Sequence, residues 1–230
     1  MEIAVVDCST HYGPEAAATA VEAINEQIRE HVAPAWSRAP LPVVLYKDDD
    51  VLPDDALVVH IHNDTRVTTD MGNHFLTRGG RPSGVVYVDR VEKNNMPVSA
   101  IVSHEVVEAF IDPYANLWIK NEGDGTYHDL ELCDPVERDT YAIKVGGVPI
   151  QVSNFALPAW YDHKPAEGAA FDHMRLLTAP FKSAPGGYST TVKKGRMGKI
   201  WGPKDADWEE MMADHRLGRR AKRAGTTGGS

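Results

Sequence analysis

Two rhythms of apolar and polar positions organise the first half of the chain. Four short runs rich in β-branched residues have the pattern of buried strands: "EIAVVDC" (2–8), "PVVLYKDDD" (42–50), "ALVVHIHND" (56–64) and "SGVVYVDR" (83–90). A slower rhythm marks helices. In "GPEAAATAVEAINEQIREHVAPAW" (13–36), Ala18, Val21, Ile24, Ile28 and Val32 recur three to four apart, and Pro14 suits a first helical turn. This predicts an amphipathic helix ending near Pro34. "NNMPVSAIVSHEVVEAFIDP" (94–113) predicts a second helix, entered near Pro97 and stopped at Asp112-Pro113, because the residue before proline avoids the helical region.

The first half therefore reads β-α-β-β-β-α, a layered α/β (α+β) unit, with residues 63–82 as a Gly/Arg-rich loop. After it, "NLWIKNEGDGTYHDLEL" (116–132) carries a hairpin signal at Asp124-Gly125. "DPVERDTYAIKVGGVPIQVSNF" (134–155) is strand-rich. "SAPGGYSTTVKKGRMGK" (183–199) reads as loop, 205–223 as a short helix and 224–230 as a disordered end. The expected division is a domain over 1–160, an extension over 161–215 and a basic tail over 216–230.

The second helix carries the chemistry. His104, Glu108 and Asp112 are spaced by four and share one face, flanked by Ile101 and Glu105. Val98, Val102, Val106 and Ala109 form the stripe expected to meet the sheet. No Lys or Arg occurs from Val98 to Asp112, so this is not a solvated, ion-paired surface. A bound cation would relieve the mutual repulsion of such groups. Side chains at i and i+4 project from adjacent turns toward one ion, so His104 and Glu108 are candidate ligands. Glu105, directly after the first ligand, is the candidate general base acting on a metal-bound water.

On these residues the chain resembles the zincin-like metallopeptidases, in a variant with a His-Glu-x-x-Glu motif. The order of elements is similar, with a helix packed on a mixed sheet, then an edge strand, then the motif helix. "SHEVVEAFIDP" followed by "LW" resembles the motif helix of little-characterised zincin-like proteins. "ELCD" (Glu131 to Asp134) resembles their downstream acidic segment. The resemblance is specific only over about 101–137. It implies a peptide or protein substrate laid along the edge strand near 84–90 by strand addition. It also implies a third ligand; Glu131 is the first choice, Asp134 competes with it, and Asp112, His128 and His163 are lesser candidates, Asp112 reading rather as the helix terminator or a partner that orients His104. Asp134 has a competing role as the start of a helix-capping box, "DPVE". One imidazole with two carboxylates suits zinc and widens the choice to Mn, Fe or Ca.

Composition narrows the setting. The formal net charge of -9 argues against general nucleic-acid binding. It is uneven: residues 193–230 hold ten Lys/Arg against five Asp/Glu, and the rest hold 14 against 28. The tail "HRLGRRAKR" is thus a candidate contact for an acidic partner. Two cysteines do not make a disulfide framework, and the N-terminal run reads as a strand rather than a signal peptide. A cytoplasmic setting is expected, with association with a virion as the other. No apolar run is long enough to span a membrane.

Other residues carry weaker signals. His60 and His62 alternate on one strand face and can meet a metal, although one packing on the sheet and the other lining the cleft mouth is the simpler reading. Tyr127, His128 and Tyr141 are candidate oxyanion donors. Cys133 reads as a small buried hydrophobe. Two functions follow. One is a metal-dependent peptidase or hydrolase. The other is a non-catalytic protein on the same scaffold, with a structural metal or none, docked into a larger assembly such as a phage particle.

Overall fold

The computed structural model describes residues 1–63 and 70–204. Five strands form the principal sheet: β1 (Ile3–Asp7), β2 (Val43–Lys47), β3 (Leu57–His62), β4 (Gly72–Leu76) and β5 (Pro82–Tyr87), in the order β2-β1-β3-β5-β4. The first four in that order run parallel, and β4 is antiparallel to β5. The fold is mixed α/β with segregated antiparallel parts, as an α+β reading expects.

The strands at 2–8, 42–50 and 56–64 lie where their apolar runs place them. Two features of the 63–90 region differ from expectation. Residues 72–76 form a strand within what reads as a loop. It is short and mostly exposed, with only Phe75 and Leu76 apolar, so it carries no apolar run to announce it. It forms because β5 offers a backbone partner, with His74 opposite Gly84. In consequence the run near 84–90 is not the sheet edge. β5 lies between β3 and β4, and the chain turns into helix α3 (Val88–Lys93). The edge strand is β4.

Helix α1 (Pro14–Gln27) continues through a π turn (Ile28–Val32) into α2 (Ala33–Ala35), so the helical run ends where Pro34 implies. α4 (Val98–Ile111) is the motif helix. α1 and α4 pack on the same face of the principal sheet. A hairpin of β8 (Thr140–Val145) and β9 (Val148–Ser153) closes the far side of both helices. Its turn is Gly146-Gly147, both with positive φ (56° and 86°), as a tight hairpin turn requires. α4 is therefore sandwiched, and every residue from Val98 to Ile111 except Ser99 is buried. A helix buried all round needs its polar groups satisfied. Ser103 Oγ donates to Gln27 Oε1 at 2.7 Å, Gln27 Nε2 donates to the Ser153 carbonyl at 2.8 Å, and Ser153 N donates to Ser103 Oγ at 3.0 Å. This ring of hydrogen bonds ties α1, α4 and β9 together.

A second sheet lies beside the C-terminal half of α4. It contains β6 (Trp118–Asn121), β7 (Thr126–Asp129), β10 (Tyr188–Lys193) and β11 (Arg196–Trp201), in the order β11-β10-β7-β6. The Asp124-Gly125 hairpin is present. Gly125 has φ 72°, and Asp124 Oδ1 accepts from Thr126 N at 3.0 Å. The loop reading of 183–199 is overturned. β10 pairs with β7, and Lys194-Gly195 makes a tight turn with positive φ (51° and 71°) into β11. Charged, exposed positions on β11 conceal its strand character from periodicity. Positions 205–230, which include the expected helix and the basic tail, lie outside the described residues. Among the described residues no helix is long and apolar enough to cross a membrane.

Candidate metal centre

α4 turns His104, Glu105 and Glu108 into a cleft of about 270 Å³ at the junction of the two sheets. All three are buried, at 6%, 2% and 3% exposure, so these are interior ionisable groups and not a helix surface. His104 Nε2 is 3.2 Å from Glu108 Oε1. The strand β7 and the turn after it bring Asp129, Glu131 and Asp134 to the same cleft, and β4 brings His74 over the helix. Both acids of the "ELCD" segment face the helix histidine or its partner. Asp134 Oδ1 lies 3.4 Å from His104 Nε2, and Glu131 Oε2 lies 3.2 Å from His74 Nδ1.

Asp134 does not cap. It lies inside a 3₁₀ turn (Asp134–Val136) that has no side-chain cap, and its carboxylate faces His104 instead. Gly187 packs against the Pro135 carbonyl with no room for a side chain, which pins this turn to β10. Asp112 serves the helix end. Its Oδ2 accepts from Asn116 N at 2.9 Å and Leu117 N at 2.7 Å. Its backbone carbonyl lies 3.1 Å from His74 Nε2, so it orients His74 rather than His104. Glu105 lies against Gly72 of β4, where a methyl group would collide with Glu105 Oε1.

The site is short of positive charge. Seven carboxylates line the cleft, against two histidines and the basic residues Arg138 and Lys199. Burial, with repulsion from Glu108 and Asp134, pushes the Glu105 carboxyl up to about 8 even though His104 pulls the other way. Burial and the Glu108 charge hold Glu131 well above the usual carboxylate range and raise Asp134. Burial and the Asp134 charge push Asp129 and Glu137 up to about 7 each. Burial works to raise Glu108 as well, but His104 and His74 beside it hold it below its ordinary range. His74 goes up to about 8. Burial opposes that rise, and Glu108 drives it. His104 Nδ1 and Glu105 Oε2 are buried with no hydrogen-bond partner. Buried unpartnered groups among carboxylates that resist ionising make a setting that a bound cation would relieve. Buried His, Glu and Cys groups here could hold a metal ion, His104 with Glu108 and Cys133, and His74 with Glu105 and Glu108.

These shifts fix how the metal-free chain responds to pH. Glu105, Asp129 and Glu137 keep protons that the unfolded chain releases near its ordinary carboxylate range of about 4–4.5. The folded state then binds more protons, so stability falls as pH rises from there through about 8. His74 acts in the same sense between about 6.5 and 8. Glu108, held low, acts oppositely, but only below its ordinary range. The melting temperature of metal-free protein is expected to fall between about pH 6 and pH 9, and a divalent cation is expected to flatten that fall. A metal-free profile that is level or rising over this range would contradict the charge balance described.

The remaining sequence candidates lie elsewhere. The Tyr141 hydroxyl is 2.8 Å from His31 Nδ1, and His128 Nδ1 is 3.0 Å from Ser189 Oγ behind β7. Neither these nor Tyr127 or His163 line the cleft. The aromatic hydroxyl that does is Tyr188, which reaches the Asp134 carboxylate and lies beneath Lys199, with Nζ 3.4 Å from the ring centroid. His60 and His62 gather with Cys8 at the carboxyl ends of β1 and β3, away from the cleft. Their three ligand-type atoms come within 4.8 Å of one another. Cys133 is fully buried, and its backbone N–H donates to Glu108 Oε1 at 3.1 Å. Sequence reasoning misses His74, Tyr188 and Lys199, because each is placed by strand pairing that no local pattern announces. No protein-family model, curated protein or solved structure matches the chain.

Proposed function

We propose that this protein is a metal-dependent hydrolase of peptide bonds, built on a zincin-like plan with a His-Glu-x-x-Glu helix. The observation that carries the reading is a convergence. His104, Glu105 and Glu108, on adjacent turns of a buried helix, meet Asp134, Glu131 and His74 in one cleft beneath an antiparallel edge strand.

His104 Nε2, Glu108 Oε1 and Asp134 Oδ1 would hold a divalent ion, with zinc the first choice and Mn or Fe admitted by the oxygen-rich set. Such an ion supplies Lewis acidity, making water a nucleophile near neutral pH and polarising the scissile carbonyl. Glu105 is the base. Its Oε2 has no partner in the fold and is free to take the proton of the attacking water. The same carboxyl returns that proton to the departing amine, so it ends as it began. The close fit of Glu105 against Gly72 holds the base in one position. Among the described residues β4 has β5 on one side only, so an extended peptide can pair along its other edge and pass over the cleft. Lys199 also lines the cleft, a cation available to the developing oxyanion, above the ring of Tyr188, whose hydroxyl is engaged by Asp134.

The test is cleavage of a mixed peptide library by zinc-loaded protein, read by mass spectrometry. Cleavage that a chelator abolishes and added zinc or manganese restores is expected. Binding of metal with no cleavage at any pH from about 6 to 9 would leave a structural metal site and remove the enzyme.

A further inference from the structure

The two oxygens of Glu108 face different histidines. Oε1 is 3.2 Å from His104 Nε2, and Oε2 is 3.5 Å from His74 Nδ1. Each histidine has a second carboxylate of its own. Asp134 is 3.4 Å from His104, and Glu131 is 3.2 Å from His74. Neighbouring ligand atoms around a tetrahedral ion with bonds of about 2.0–2.1 Å stand about 3.3–3.4 Å apart. All four separations bracket that value. The cluster is two half-sites that share one carboxylate.

We propose that the cleft holds two divalent cations, one on His104, Glu108 and Asp134, the other on His74, Glu108 and Glu131, with the Glu108 carboxylate bridging them. This rests on the reading of the cleft as a metal centre. His74 is built for the role. Its side chain is 3% exposed, and its Nε2 is committed to the Asp112 carbonyl at 3.1 Å. That bond places the proton on Nε2 and leaves the Nδ1 lone pair facing Glu108 and Glu131, the ligand form of a histidine.

Glu105, though a ligand of neither ion, marks this end of the cleft independently as a setting for a cation. Its Oε2 is buried and unpartnered, and an oxygen of Glu105 falls within 4.8 Å of ligand atoms of His74 and Glu108. Charge agrees. With neutral imidazoles, one divalent ion leaves the four carboxylates of Glu105, Glu108, Glu131 and Asp134 in excess, and two ions match them. A bridging carboxylate sets two ions about 3.5–4 Å apart, the spacing at which both can engage one oxygen of a substrate. The choice between Glu131 and Asp134 as third ligand then disappears, because each belongs to its own ion.

The experiment loads full-length protein with Mn²⁺ and reads electron paramagnetic resonance together with metal content. The native chain is expected to show a spin-coupled manganese pair. His74→Ala and the milder His74→Gln are expected to lose one ion per chain and show an isolated-ion spectrum. The native spectrum decides even where a variant fails to fold. Any ion on the remote Cys8, His60 and His62 trio is uncoupled and common to all samples, so it cancels. An isolated-ion spectrum from the native cleft, with content unchanged in the His74 variants, would overturn the second ion and leave a single-metal hydrolase standing. No manganese or zinc bound in the cleft at all would overturn the metal-centre reading on which both rest.

Discussion

Glu105→Gln is expected to lower peptide hydrolysis by about 10²–10⁴-fold, the range for loss of a positioned general base, with bound metal unchanged. The substitution keeps the shape of the side chain, so its packing against Gly72 survives. It removes only the capacity to take a proton at Oε2. Because the role proposed for Glu105 is to take a proton rather than to bind substrate, kcat should carry the loss and KM should stay close to native. The buried setting sharpens the expectation. Burial pushes the Glu105 carboxyl up to about 8 in the metal-free chain, so its protonation is poised near working pH and answers to cation charge in the cleft. Glu105→Gln protein that binds metal and cleaves peptides at the native rate would remove Glu105 from the mechanism. Loss of metal in the same variant would recast it as a ligand.

Glu108→Gln is expected to have the largest effect on binding. Glu108 is the carboxylate that both histidines face, and both help hold it ionised. The amide retains an oxygen that can accept from Cys133 N, but it lacks the charge. Metal affinity should fall by more than the about 10–100-fold typical of an outer-shell partner. Stability gives a second readout. A ligand at about a thousand times its Kd stabilises the native state by about 4 kcal/mol. For a chain of this size that is a rise in melting temperature of about 8–16 °C. The native protein should show such a rise on adding zinc, and Glu108→Gln almost none. An equal rise in both would place the ion away from Glu108.

What the sequence discloses and what it conceals divide along a physical line. His104, Glu105 and Glu108 are legible because helical spacing is a local property, fixed by 3.6 residues per turn. The absence of Lys and Arg beside them correctly marks the face as interior. Glu131 and Asp134 stand out as acids next to a hairpin signal, but deciding between them needs the three-dimensional position of His74. His74 is hidden for two reasons. β4 is a short, mostly exposed edge strand, and it exists because β5 is there to pair with it. Tyr188 and Lys199 are hidden in the same way. β10 and β11 are joined by a Lys-Gly turn and earn their place by pairing with β7, more than 60 residues earlier. Misplacing the edge at 84–90 follows from the same cause, since the apolar run of β5 marks an inner strand, not an outer one.

The central claim is that a cation belongs between the α4 histidine and the acids of the "ELCD" turn. Anomalous diffraction at the zinc absorption edge, from crystals of zinc-loaded protein, tests it most directly. The account predicts a peak in the cleft about 2.0–2.2 Å from His104 Nε2, Glu108 Oε1 and Asp134 Oδ1. Crystals that show no anomalous peak in the cleft, or zinc only beside Cys8, His60 and His62, would contradict it.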